Sequence, residues 1–358
     1  MKLLCFSDLH LTNKNPKFKY GEGGVSDLLS DQERFVEFIV DKYLEDQYDF
    51  LLFLGDWTDY PTLDPILQTK SNELLKMVSQ AENILIEGNH CISDIEGKFT
   101  VLGATDSFMS DLGSTVVTGN KVIKFDGEIS FYCFPYRSDF KAIEAAVAEA
   151  NSSLDANVIN VMLFHFPTTN AVLDNQLQSK KGVALTEDII SNFDVVIGGD
   201  FHRPQQLIGT SRAYYVGAPF DFNYGDHVES RGALSVEVTK EALAVDWIEN
   251  PFRRLVKKVS IEEAFKLTKE ELSRNIYRVV GETSDPKITL ELQAIQKDSY
   301  KFDIGVRRPV AFELEDSVKV IESVDSSTER DLLHNYLMGY EGRDRVLDLF
   351  DKIKMTCQ

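Results

Sequence analysis

The chain has 358 residues, 43% of them hydrophobic, and a formal net charge of −20. The hydrophobic share is ordinary for a globular protein, whereas the charge argues against holding nucleic acid by bulk electrostatics and leaves that task to a local patch or a partner. No apolar run approaches the ~18 residues that span a bilayer, and four cysteines without paired spacing exclude a disulfide framework and point to a reducing cytoplasm.

In chain order, Lys2–Phe6 meets Asp8 too soon for a signal peptide and reads as a first strand. Ser30 and Glu33 form a capping-box pattern, and Phe35, Phe38, Ile39 and Tyr43 make one stripe at helical spacing. Phe50–Leu54 is a second strand, followed by a helix over Leu67–Val78 and a strand at Ile84–Ile86. An Ala-rich helix is predicted over Asp139–Asn151, then strands at Val158–Phe164 and Val195–Ile197. Short apolar runs that each end in a polar loop suit strands buried on both faces. Their alternation with helices predicts an α/β layered architecture.

From about Ala213 the texture changes. Arg212–Val216, Gly232–Val238 and Ala242–Ile248 read as successive β-strands, the last pair a hairpin across Thr239-Lys240-Glu241. Asn250-Pro251 marks a boundary. Beyond it lie a basic stretch (Arg253, Arg254, Lys257, Lys258), a strand at Ile276–Val280, a helix near Thr289–Gln296 and a strand near Lys301–Val306. Thr328–Met338 and Arg343–Ile353 have helical periodicity. The basic stretch fits a solvated strand face as well as it fits DNA contact.

Five strand ends carry polar residues of one chemical kind: Asp8-Leu9-His10, Gly55-Asp56-Trp57-Thr58-Asp59, Gly88-Asn89-His90, His165, and Gly199-Asp200-Phe201-His202. Functional groups of open α/β sheets gather beyond the carboxyl ends of strands. Residues two apart on an extended segment share a side, so Asp8 and His10 can grip one ion, as can Asp200 and His202. Imidazole, carboxylate and one amide, with no thiolate unless Cys91 joins them, suit manganese, iron or zinc in a mixed N/O site. Each motif alone has a plain alternative: Asp-x-His as a loop, Gly55-Asp56 as a turn, His165 as a core histidine. Their order together points to a metal site. His227 and His334 read as surface residues, His227 with some claim to the rim, and Trp57 reads as packing.

Asp-x-His, Gly-Asp-x-x-Asp, Gly-Asn-His, a lone His and Gly-x-x-His in this order resemble the calcineurin-like metallophosphoesterases. The resemblance implies a four-layer sandwich of two central mixed β-sheets flanked by helices, over residues 1–250. It implies two divalent ions, Mn2+ foremost with Mg2+ or Fe2+ as substitutes, which clamp attacking and leaving oxygens and supply hydroxide at neutral pH. One ion would take Asp8, His10 and His202, the other Asn89, His165 and Asp200. Asp56 would bridge them, and His90 would act as general acid or transition-state stabiliser beside the leaving oxygen. Two positions depart from the pattern. Asp200 stands where the family has His, and Cys91 stands where an acid normally orients the histidine, which leaves Asp59 as the candidate to hold His90.

Within that family, Asp8-Leu9-His10-Leu11, Tyr215-Val216-Gly217-Ala218-Pro219 and Ser230-Arg231-Gly232-Ala233 resemble the nuclease subunit of the double-strand-break repair complex (SbcD in bacteria) and its bacteriophage recombination-endonuclease relatives. This implies a small α/β cap over 251–325, and terminal helices over 326–358 that dock on a partner. It also implies phosphodiester hydrolysis of DNA, an SbcC-like coiled-coil ATPase as that partner, a homodimer and no membrane. Val346, Leu349, Phe350 and Ile353 form one apolar face suited to such docking or to closure on the cap. Hydrolysis of small phosphoesters and a silent scaffold are the rival readings.

Overall fold

The computed structural model describes residues 1–307 apart from 95–98, 174–176, 226, 227 and 229. The two terminal helical segments, His227 and His334 lie outside the described residues, as does the part of the expected cap beyond 307. Residues 1–281 with 285–306 form one compact unit.

The chain first lays down β1 (Lys2–Phe6), β2 (Phe50–Leu54), β3 (Asn83–Ile86) and β4 (Thr115–Val117). These four run parallel, with a helix in each crossover: α1 (Asp27–Glu45), α2 (Pro65–Val78) and α3 (Val101–Asp111). A second sheet follows from β5 (Lys121–Phe125), β6 (Ile129–Phe134), β7 (Ile159–His165), β8 (Val195–Gly199), β9 (Gln205–Gln206) and β10 (Ala213–Tyr215), in the order β5-β6-β7-β8-β10-β9. Helix α4 (Phe140–Ser152) and a single turn, α5 (Glu187–Ile190), connect its parallel members. The chain then returns to the first sheet as the hairpin β11 (Gly232–Val238) and β12 (Leu243–Glu249), with β11 antiparallel to β1. Both large sheets are therefore mixed.

Period-two alternation decides the layers. Leu3, Cys5, Leu52, Leu54, Ile84 and Ile86 point between the sheets and meet Phe131, Cys133, Val161, Leu163, Val195 and Ile197 of the second sheet. Their neighbours Leu4, Phe6, Leu51, Phe53 and Leu85 point outward onto α1 and α2. On the far side, Tyr132, Met162, Phe164 and Val196 pack against Ile143 and Val147 of α4. The result is the expected sandwich of helix, sheet, sheet and helix. Both large sheets sit between layers, so their central strands are apolar at nearly every position.

The caps follow ordinary chemistry with one correction. Asp64 and Asp139 cap α2 and α4 through hydrogen bonds from Leu67 N and Ala142 N. The cap of α1 is Ser26, whose Oγ accepts from Leu29 N at 3.2 Å. Ser30 and Glu33 lie inside that helix, because Leu28 and Leu29 begin its buried face one turn earlier than the capping-box pattern implies.

A third, three-stranded sheet, β13 (Val256–Ser260), β14 (Ile276–Glu282) and β15 (Lys301–Arg307), carries the short helices α6 (Ile261–Ala264) and α7 (Lys269–Arg274), and α8 (Pro286–Lys297). Its core is Val259, Ala264, Tyr277, Val279, Leu292 and Phe302. The two arginines that precede it do not form a solvated face. Arg253 is buried and its Nη2 lies 3.0 Å from both oxygens of Asp221, while Arg254 Nε donates to Asp31 at 2.6 Å. No helix among the described residues is long and apolar enough to cross a membrane.

Candidate metal centre

Because β1, β2 and β3 are parallel, their carboxyl ends share one edge of the first sheet, and β7 and β8 do the same in the second. One hydrogen bond seats the two edges against each other: His165 Nδ1 donates to the carbonyl of Leu54 at 2.6 Å, an oxygen that also accepts from Ser7 Oγ of the first sheet at 2.9 Å. The approach is so close that a Cβ at Gly55 would run into the His165 ring, and one at Gly199 would run into Ser7 Oγ.

Around this seam the structure gathers Asp8, His10 and His202 into one group with ligand atoms within 4.8 Å of one another. Two further groups, His10 with Asp56 and His90, and Asp8 with Asp56 and His165, overlap it. Asp56 Oδ2 stands 3.3 Å from His165 Nε2 and 3.6 Å from His10 Nε2, so this carboxylate is central to the cluster. Asn89 Oδ1 is 3.1 Å from His165 Nε2. His10 and His202 face each other with their Nε2 atoms 3.0 Å apart.

Asp200 joins differently. Its backbone N–H donates to Asp8 at 3.1 Å, whereas its carboxylate falls outside the three groups of mutually close ligand atoms. Its field nevertheless acts on His165. His90 is exposed at the mouth, with Nδ1 donating to the carbonyl of Asp59 at 3.0 Å and Asp59 Oδ1 at 3.7 Å. Asp59 is therefore placed to hold His90, more through its main chain than its carboxylate. Cys91 is buried, and its Sγ packs at 3.4 Å from the Thr58 N–H it accepts from.

The backbone is bent to build this cluster. Among the described residues six non-glycines have positive φ, and four of them are Asp8 (51°), His10 (45°), Asp56 (59°) and Asp200 (106°). Each left-handed residue costs about 1–3 kcal/mol, so the concentration of strain marks these strand ends as functional. Aspartate tolerates the conformation better than histidine does.

The electrostatics ask for a cation. Burial alone would favour a neutral His165, but Asp56, Asp8 and Asp200 overcome it and push the imidazole up to about 10. Burial would likewise raise Asp56, yet His165, His10 and His90 hold its carboxyl well below the usual range. Asp200 is pushed up to about 7 by burial first, then by Asp8 and Asp56. His10 Nδ1 is buried without a hydrogen-bond partner. Three crowded carboxylates, imidazole nitrogens and an amide oxygen form a hard, mixed N/O donor set, which fits divalent ions of the manganese, iron or zinc kind.

Two features of the site go beyond the ligand motifs. The Phe222 ring lies 5.3 Å from that of His10 and 5.7 Å from that of His202, walling one side. Arg231, wholly buried, donates to the main-chain carbonyl of His202 and to Asp221. The Arg-Gly return Ser230-Arg231-Gly232 marks that arginine in the sequence, but nothing there reveals its target.

A sequence model described as calcineurin-like phosphoesterase matches residues 1–204. Among similar solved structures is a dimetal phosphatase from Danio rerio, at 8% identity and TM-score 0.41, which covers 70% of this chain and 96% of that one. Another is the TT1561 protein of Thermus thermophilus, at 10% identity and TM-score 0.42, covering 68% and 97%. A third is the purple acid phosphatase PPD1 from yellow lupin seeds, at 12% identity and TM-score 0.44, covering 70% of this chain and 51% of that one.

Proposed function

The chain belongs to the calcineurin-like phosphoesterases, whose sequence model spans more than half of it, and from that premise we propose that it is a metal-dependent nuclease hydrolysing phosphodiesters in DNA. The observation that carries the hydrolytic reading is the convergence of Asp8, His10, Asp56, His90, His165 and His202 on one site from strand ends nearly two hundred positions apart. Asp8, His10 and His202 would hold one ion and Asn89, His165 and Asp200 the other, with Asp56 between them. Bound there, two such ions supply a nucleophile at neutral pH and neutralise charge on the transferring phosphoryl group.

The chain's own groups do the rest. His165 is oriented by the Leu54 carbonyl, which takes its Nδ1 proton and turns Nε2 inward. His90 is held the same way by the Asp59 carbonyl, so its Nε2 is the atom left to face substrate. A proton on that atom passes to the departing oxygen.

DNA as the substrate is supported by the likeness of residues 215–219 and 230–233 to the SbcD-type nucleases, and by the appended third sheet. An SbcC-like ATPase partner would supply the bulk positive charge that a chain of −20 lacks, and a homodimer would pair two such sites. The same charge favours a second reading, hydrolysis of small phosphoesters, which needs the same metal ligands and no partner.

Manganese-dependent hydrolysis of linear DNA and of a chromogenic phosphodiester, with and without the ATPase, separates these. Cleavage of DNA that strengthens in the complex supports the nuclease. Fast turnover of the small diester with DNA left intact would establish the second reading instead.

A further inference from the structure

Against a net charge of −20, one side of the metal centre collects cations. The Lys17 ammonium stands 5.9 Å and the Arg278 guanidinium 6.0 Å from the centroid of the Tyr224 ring. Lys19 and Arg254 stand 4.8 Å and 4.7 Å from the centroid of Tyr300. Lys301 Nζ adds a fifth charge, 3.5 Å from the carbonyl of Pro16. Phe18 is buried between Lys17 and Lys19 and anchors the loop that presents them.

Arg254 is matched by Asp31 at 2.6 Å. Lys17, Lys19, Arg278 and Lys301 have no carboxylate within ion-pair distance among the described residues. The nearby Asp303 and Asp27 instead accept from the hydroxyls of Tyr224 and Tyr300, at 2.7 Å and 2.6 Å. Those bonds fix the rings, and the rings fix the cations. Bringing like charges together around shared aromatic faces costs Coulombic energy, and an anion laid along them would recover it.

The cations also have a direction. Asn15 Nδ2, on the same loop as Lys17, donates to the carbonyl of Phe222 at 3.2 Å. The Phe222 ring stacks at the edge of His10 and His202, and Tyr224 follows two residues later. The row of charge therefore begins where the metal centre ends.

We propose that the seam between the 14–19 loop and Arg278 and Lys301 of the third sheet holds the sugar-phosphate backbone of a nucleic-acid strand as it leaves the metal centre. Lys17, Lys19, Arg278 and Lys301 each take a phosphate, and no base is read. The inference rests on the phosphodiester reading above and adds to it the surface that distinguishes a polymer from a small ester.

The test is fluorescence anisotropy of a labelled oligonucleotide with the full chain over a range of salt. The background is His90→Ala, so that the strand stays whole. The double variants Lys17→Gln with Arg278→Gln, and Lys19→Gln with Lys301→Gln, are each expected to weaken binding at least about tenfold at low salt. Each should also flatten the slope of log affinity against log salt by roughly 0.7–0.9 per lost contact. Lys121→Gln, an exposed lysine on β5, controls for loss of charge alone and should leave the affinity where it was. Binding by the parent that both double variants retain overturns the seam and leaves the nuclease reading standing. No binding by the parent, with hydrolysis of a small diester by the wild-type chain, overturns both.

Discussion

Arg231 donates through Nη1 to the main-chain carbonyl of His202, 29 residues earlier in the chain. The same guanidinium donates to Ala218 O at 3.0 Å and through Nε to Asp221 at 2.7 Å. Asp221 in turn accepts from Arg253 Nη2 at 3.0 Å and from Val256 N at 3.2 Å. The direction of a candidate metal ligand thus depends on a buried ion network that reaches the start of the third sheet. Removing one partner of a buried charge pair costs about 3–5 kcal/mol because the other charge is stranded. Arg231→Ala is expected to lose stability of that size in urea unfolding. Arg231→Lys keeps the charge but not the fork, so it should fold and bind Mn2+ more weakly. Wild-type Mn2+ affinity in the lysine variant would show that the carbonyl contact does not position His202.

Asp56 and His90 separate binding from chemistry. Asp56 is buried among three histidines, while His90 sits exposed at the mouth. Asp56→Ala is expected to abolish calorimetric Mn2+ binding at both positions. His90→Ala should bind Mn2+ as the parent does and lose about 10²–10⁴ in turnover, the usual worth of a general acid. Full turnover in the His90 variant would remove it from the reaction.

How much of this is readable in the residues depends on range. Strands β1 and β2 are legible because burial on both faces leaves unbroken apolar runs, and the ligand motifs are legible because they end such runs. Strands β5 and β6 go unread although Asp126 and Gly127 between them, with φ of 47° and 71°, form a type I′ turn. Helix α3 is hidden because Gly103, Thr105, Asp106 and Ser107 dilute its stripe, and only Val101, Leu102 and Met109 are buried. The fate of Arg253 and Arg254 cannot be read at all. Their partners, Asp221 and Asp31, lie 32 and 223 residues away, and local pattern carries no information at that separation. Phe222 and the left-handed backbone of four candidate ligands are invisible for the same reason.

Two glycines with similar backbone angles offer a test of where that strain is used. Gly55 has φ of +100° and its Cβ would strike the His165 ring, whereas Gly113 has φ of +82° with nothing within 4 Å. Gly113→Ala should cost about 1 kcal/mol, the conformational penalty alone. Gly55→Ala should cost at least about twice that and should also reduce Mn2+ stoichiometry, since His165 must move. Equal losses in urea unfolding, with metal binding intact in both, would refute the close packing of the two sheet edges at this point.

Tyr300 gives the third sheet an alkaline limit. Burial and the hydrogen bond to Asp27 push its phenol up to about 12 from an ordinary 10.0. The folded value is the higher one, so the contribution is complete below pH 10.0 and is lost as pH rises through about 12. Ultraviolet titration should show several tyrosines ionising late, the buried Tyr215 and the half-buried Tyr224 among them, and Tyr300→Phe should lower that late amplitude by one tyrosine and remove the matching loss of stability. An unchanged late amplitude in the variant would show that Tyr300 ionises with the ordinary tyrosines.

Asp200 is the position where the donor set departs from the family, and its geometry suggests two roles that can be told apart. Its N–H donates to Asp8 at 3.1 Å, a role any residue could fill, whereas its carboxyl is pushed up to about 7 by burial and by Asp8 and Asp56. A carboxylate held against that resistance is explained if a cation neutralises it. Carboxylate favours manganese over zinc relative to imidazole, so Asp200→His should fold as the parent does and shift competition between Mn2+ and Zn2+ toward Zn2+ by about tenfold. Because His also relieves the crowding of acids, overall stability of the metal-free chain should rise rather than fall. An unchanged Mn2+ to Zn2+ ratio would assign Asp200 to the backbone role alone and leave Asn89 and His165 to hold the second ion with Asp56.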